Sequence, residues 1–187
     1  MLGPQYINIA FEAARKYAPP GTKLFLNDYS LNDPAKLACL VKVVSSLLDQ
    51  GVPIDAIGHE TQNKINYPSI RMMTPCIETI HRDFPQLEQQ ISELDESVYP
   101  AGNTADNCGK GIPASVLAEQ GWLYKDYFDL FRRLHRDLTA VTMWGMADDD
   151  AWLDATRTGY PLPFGTALRA KPACWEFSIP RSCQGMA

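Results

Sequence analysis

No apolar run in this chain of 187 residues approaches the roughly 18–20 residues needed to cross a bilayer, so no membrane span is expected. Lysine and arginine never cluster: they number 17 against 22 acidic residues, for a net charge of −5. With no basic patch to neutralise phosphates, nucleic acid is not an expected partner. Histidine is scarce, at 3 residues. His59-Glu60-Thr61-Gln62-Asn63 lacks the second histidine of a zinc HExxH helix, and His81 and His135 fall on expected helices without ligand partners. No metal and no other cofactor is therefore expected. The cysteines, Cys39, Cys76, Cys108, Cys174 and Cys183, include no CxxC pair, which argues against a zinc ribbon or a thioredoxin-like motif. They read as free thiols, with Cys108 and Cys183 the most exposed. A G-x-S-x-G nucleophile elbow is missing as well, and glycines form no phosphate-binding pattern after any strand. The opening Met1-Leu2-Gly3-Pro4-Gln5 carries neither the basic segment nor the apolar core of a secretory signal.

What is present is a globular composition, 45% hydrophobic and 21% charged, at a length that suits one domain over residues 1–187. Periodicity predicts a helix over 5–17, ended by Pro19-Pro20-Gly21. A buried strand follows over 23–28. Asn32-Asp33-Pro34 opens a second helix and Gly51 stops it. Strands are expected over 52–58, 89–95 and 140–145, and helices over 69–84 and 113–137, with Thr74-Pro75 restarting the former and a short last helix over 171–177. Strands alternating with helices at this spacing argue for parallel βαβ units, an α/β fold. Sites in such folds lie at the C-terminal ends of the strands.

Gln89-Gln90-Ile91-Ser92-Glu93-Leu94-Asp95 stands out among those ends. Alternation with period two places Glu93 and Asp95 on one face, two carboxylates where chemistry is expected.

Several stretches together resemble glycoside hydrolase family 10, the endo-1,4-β-xylanases. They are Asn27-Asp28-Tyr29, the segment 53–59, Ser92-Glu93-Leu94-Asp95, the segment 141–152 with Trp144 and Trp152, Pro161-Leu162-Pro163-Phe164, and Lys171-Pro172-Ala173. The resemblance implies a (β/α)8 TIM barrel of which this chain holds four parallel strands with their helices, strands five to eight. A full barrel needs about 250 residues. The strand that carries the family's general acid/base glutamate has no counterpart here.

It also implies that xylan or xylo-oligosaccharide is hydrolysed with retention, with Glu93 as nucleophile and Asp95 as a supporting acid. At the end of the preceding strand the family has Gln, one residue, then His. This chain has Glu60-Thr61-Gln62. Gln62 can donate a hydrogen bond to the nucleophile but carries no charge. Glu60 is a second carboxylate that should raise a neighbouring pKa. Trp144 and Trp152 match the tryptophans of the sugar pocket, and Tyr29 and Asn27 match a substrate-lining or supporting position. Most family members are secreted, whereas no export signal is read here, so no compartment is assigned.

Four parallel strands would leave two open sheet edges. A homodimer, with the first strand of one copy beside the last strand of the other, would close an eight-stranded barrel. The second copy's Asp148-Asp149-Asp150 loop would then supply a substitute acid. Alternatively the chain is a carbohydrate-binding remnant or an inactive fragment of a xylanase.

Overall fold

The computed structural model describes residues 5–102, 111–155 and 159–176. Cys108 and Cys183 lie outside the described residues; of the others, Cys39 is exposed, Cys174 half-buried and Cys76 buried. The elements run α1 (Tyr6–Tyr17), β1 (Phe25–Tyr29), α2 (Pro34–Asp49), β2 (Ala56–Lys64), α3 (Ile70–Asp83), β3 (Glu88–Ser97), α4 (Ala114–Arg133), β4 (Ala140–Met143) and α5 (Pro172–Glu176). The four strands form one parallel sheet in the order β1-β2-β3-β4. This is the expected α/β half barrel.

Local chemistry sets the elements. The Asp33 side chain accepts from the backbone N–H groups of Ala35 and Lys36, and Pro34 occupies the first helical position, so α2 starts where the cap dictates. α3 runs unbroken through Pro75 instead of restarting there. Pro75 lies at an exposed position, and the carbonyl it leaves unpaired belongs to Arg71, itself exposed. α4 ends at Arg133, short of the expected 137.

The largest departure from expectation is β2. It continues six residues past Gly58 through the polar run His59 to Lys64. The buried members of that run face the helix layer, and each is hydrogen-bonded. His59 Nε2 meets Gln89 Oε1 at 2.9 Å, Thr61 Oγ1 donates to the His59 carbonyl at 3.0 Å, and Asn63 Nδ2 donates to Glu96 Oε1 at 2.8 Å. Buried polar groups satisfied in this way extend a strand that hydrophobicity alone would end. Burial also pulls the His59 pKa down to about 4, so the ring is neutral at ordinary pH.

Between sheet and helices lies the core. Ile57, Ile91 and Leu94 from the strands meet Ile77 and Ile80 of α3 and Tyr124, Tyr127 and Leu130 of α4, all essentially inaccessible. Each such aliphatic side chain contributes about 1.5–3 kcal/mol by leaving water. The other face of the sheet is the barrel interior. At its centre Gly58 makes room for a neighbour, because a Cβ there would stand 1.8 Å from Asn27 Oδ1. β1 and β4 pair on one side only among the described residues, so the interior is open at both edges.

Candidate functional site

The site is built on a fault in β3. Glu60 pairs with Ser92, but the next pair is Gln62 with Asp95. Two residues of β3, Glu93 and Leu94, thus stand against Thr61 alone. The same irregularity appears on the other side, where Ile91 pairs with Val141 and Leu94 with Met143. This is a β-bulge, a device that re-aims side chains next to sites. Glu93 itself has φ of 60°, a left-handed conformation that costs a non-glycine residue on the order of 1–3 kcal/mol.

The bulge reverses the parity of the strand. Before it the odd residues face the helices: Gln89 donates to the Ile77 carbonyl at 3.2 Å, and Ile91 is fully buried. After it the even residues do: Leu94 sits in the core and Glu96 lies against Tyr124 and Tyr127. Asp95 is thereby placed with Gln62 on the interior face. Glu93 and Asp95 do share a face, but the bulge keeps them there.

Gln62 Nε2 donates to Glu93 Oε2 at 2.9 Å. Partial burial, and then the charge of Glu60, raise the Glu93 pKa above its ordinary value. Gln62 and Glu60, next-but-one neighbours on β2, therefore act on Glu93 in different ways. One holds its carboxylate by a hydrogen bond, and the other repels its charge. Beside them, at the ends of β1 and β2, lies a hollow of about 230 Å³ lined in part by Tyr29, Asn32, Glu60, Gln62, Lys64 and Tyr67.

Two tryptophans are tied to β3 at the bulge. Trp144 follows β4, and its backbone N–H donates to the Leu94 carbonyl at 2.9 Å, which fixes it next to the bulge. Trp152 Nε1 donates to Asp95 Oδ2 at 2.7 Å. Both rings remain open to solvent, at 43% and 50% exposure, as a surface that stacks on a ligand must be.

Asn27 lies on the interior face against Gly58. Tyr29 is exposed at the end of β1, and the Lys36 ammonium lies 3.4 Å from its ring centroid, so one face of the ring is already occupied. Of the aspartate run, Asp148 is 2% exposed. It accepts from Lys171 Nζ at 2.9 Å and from the Leu162 N–H at 2.9 Å. That burial removes Asp148 from the role of an acid presented to a second copy. Asp149 and Asp150 are exposed, and Asp149 accepts from the Ala167 N–H at 3.1 Å.

The bond between Asp95 and Trp152 and the pair of Asp148 with Lys171 are what sequence reasoning missed. Each joins residues far apart in the chain, with no periodic signal to announce it. The only hint was that both lysine and aspartate lie in the motif segments. Among the described residues no group of three or more His, Cys, Asp or Glu side chains is arranged to hold a metal ion.

The family model of Glycosyl hydrolase family 10 matches residues 1–178. Endo-1,4-beta-xylanase A of Halalkalibacterium halodurans is 39% identical over 185 residues, a match that takes in 93% of this chain and 46% of that protein. The beta-1,4-xylanase of Dictyoglomus thermophilum is 37% identical over 180 residues, with 93% of this chain and 49% of that one covered. The crystal structure of xylanase B from Clostridium stercorarium F9 superimposes with a TM-score of 0.88 at 34% identity, over 95% of this chain and 52% of that one. The chain thus spans about half the length of the relatives it matches. A match over nearly the whole chain, on a fold that superimposes on half of a xylanase, means that this chain belongs to glycosyl hydrolase family 10.

Proposed function

We propose that this chain is the nucleophile-bearing half of a retaining xylan hydrolase, acting on β-1,4-xylan or xylo-oligosaccharides through Glu93. The observation that carries this reading is the position of Glu93. It sits on the bulge of β3 and is bonded by Gln62, and the solvent-open Trp144 and Trp152 are tied to the two residues that follow it. The relatives' names, endo-1,4-beta-xylanase and beta-1,4-xylanase, support the substrate class.

In this reading the ionised Glu93 attacks the anomeric carbon as the bond to the leaving oxygen breaks. A glycosyl ester forms, and water then releases it with retention. The leaving oxygen needs a proton. Glu60, when it holds a proton instead of pressing its charge on Glu93, is one source, and Asp149 or Asp150 of a second copy is the other. Because the Glu93 pKa is raised, turnover falls as the pH drops through it.

An aryl β-xylobioside tests the reading, because its good leaving group needs little acid assistance. Wild type should turn it over, and Glu93→Ala should lose on the order of 10⁴-fold or more in kcat/KM. Equal rates in the two proteins would remove Glu93 as nucleophile. A second reading, sugar binding without hydrolysis, is favoured by the exposure of Trp144 and Trp152. It predicts xylo-oligosaccharide binding with no turnover of either the aryl substrate or xylan.

A further inference from the structure

A side-chain bond from the Trp152 indole Nε1 to Asp95 Oδ2, at 2.7 Å, ties the rim segment to β3. The two partners differ sharply in setting. Asp95 is 1% exposed while half of Trp152 is open to solvent. The second carboxylate oxygen, Asp95 Oδ1, is buried and has no hydrogen-bond partner among the described residues. Among the described residues the indole is the one hydrogen-bond donor to this carboxyl, and a buried polar group relies on the bonds it has. The charges that face it come from three elements. Glu93 and Glu96 lie on its own strand, Lys64 on β2, and the Tyr124 phenol, kept protonated by burial, on α4. Glu93 opposes its ionisation and Lys64 favours it, while burial keeps Glu96 protonated beside it.

We propose that Asp95 is a positioning residue that clasps the indole of Trp152, and that the clasp is firm when the carboxyl is ionised and slack when it takes up a proton. The wall on which a sugar ring would stack is then set from beneath by a group that touches no sugar. The physical basis is that a hydrogen bond to an ionised acceptor is roughly twice as strong as one to a neutral acceptor. Burial moves the Asp95 pKa up to about 7, the indole and Lys64 pull it down, and Glu93 pushes it up. The change of state therefore falls near neutrality. The sugar-wall part rests on the xylan reading, while the clasp itself does not.

The test reads the Trp152 indole N–H in protein labelled with ¹⁵N at tryptophan, with Trp152→Phe assigning the signal. Relative to an unstructured indole, its exchange with solvent should be at least about threefold better protected at about pH 8 than at about pH 5. In Asp95→Asn, protection should stay at the low-pH level throughout. Equal protection of wild type at both pH values, or an unchanged pH dependence in Asp95→Asn, overturns the proposal.

Trp152→Phe leaves β3 untouched and supplies a reciprocal readout should the buried substitution fail to fold. With the donor gone, the Asp95 carboxyl titration followed by ¹³C NMR should move upward, and an unmoved midpoint overturns the clasp. Calorimetric titration with xylotriose completes the set. Wild type should bind more tightly at the higher pH, and Asp95→Asn should lose that ratio. No xylotriose binding at either pH would sink the xylan reading and leave the indole data to decide the clasp.

Discussion

Burial lifts the Asp95 carboxyl from the 3.8 of an unfolded chain to about 7, and the sign of that gap decides how stability depends on pH. Below the unfolded pKa both states hold the proton, and Asp95 contributes no pH dependence. Between the two values the folded state binds more protons than the unfolded one, so stability falls as pH rises and levels off above about 7. The gap corresponds to a few kcal/mol at most. Asp95→Asn, a mimic of the neutral form, should therefore flatten the decline in unfolding free energy between about pH 4 and pH 8, measured by urea denaturation. A slope equal to that of wild type would mean that Asp95 titrates alike in both states. At this scale the sequence was informative where residues carry a motif. The hydrogen bond from Gln62 to Glu93 was legible in the sequence. The role of Asp95 as anchor of Trp152 was not, because a hydrogen bond across 57 positions leaves no mark on local composition.

Among the elements, those with a local cause were the easiest to read. Asp33 and Pro34 announced the start of α2, and apolar stripes announced α3 and α4. The second half of β2 is hidden in the sequence, because it is buried through paired polar side chains and polarity at a strand end looks like a loop. The rim shows the same limit. Lys171, only 6% exposed, reaches Asp148 and also donates to the Tyr160 carbonyl at 2.7 Å. Glu96 N–H donates to the Pro161 carbonyl at 3.0 Å. Together these contacts dock the segment after residue 159 onto β3 and onto Asp148. Asp148→Ala would leave the Lys171 cation buried without its counter-charge, a loss of about 3–5 kcal/mol. The double variant with Lys171→Met should recover much of that. Chemical denaturation checks both, and a double variant no more stable than the single one would show that the brace works through shape rather than charge.

On the scale of the whole molecule, four strands carry a helix layer on one face and, among the described residues, no second sheet opposite the other. Composition and length made the α/β class and the four-strand count legible, since each βαβ unit has its own periodic signature. What completes the interior is a matter of long-range geometry that no local pattern encodes. A second copy, β1 against β4 twice over, would close eight strands. Sedimentation at working concentration should then give a dimer that dissociates on dilution, and a monomer at all concentrations removes the idea. Such a contact has a direction, because the exposed flank of β1 differs from that of β4. Contacts between unlike surfaces make a ring only when the rotation between copies sums to a full circle. A substitution that changes the splay between β1 and β4 by a modest angle would leave every local bond intact and still convert a closed pair into an open, growing filament. The geometry that holds Glu93 in place would then also set whether the protein stays in solution.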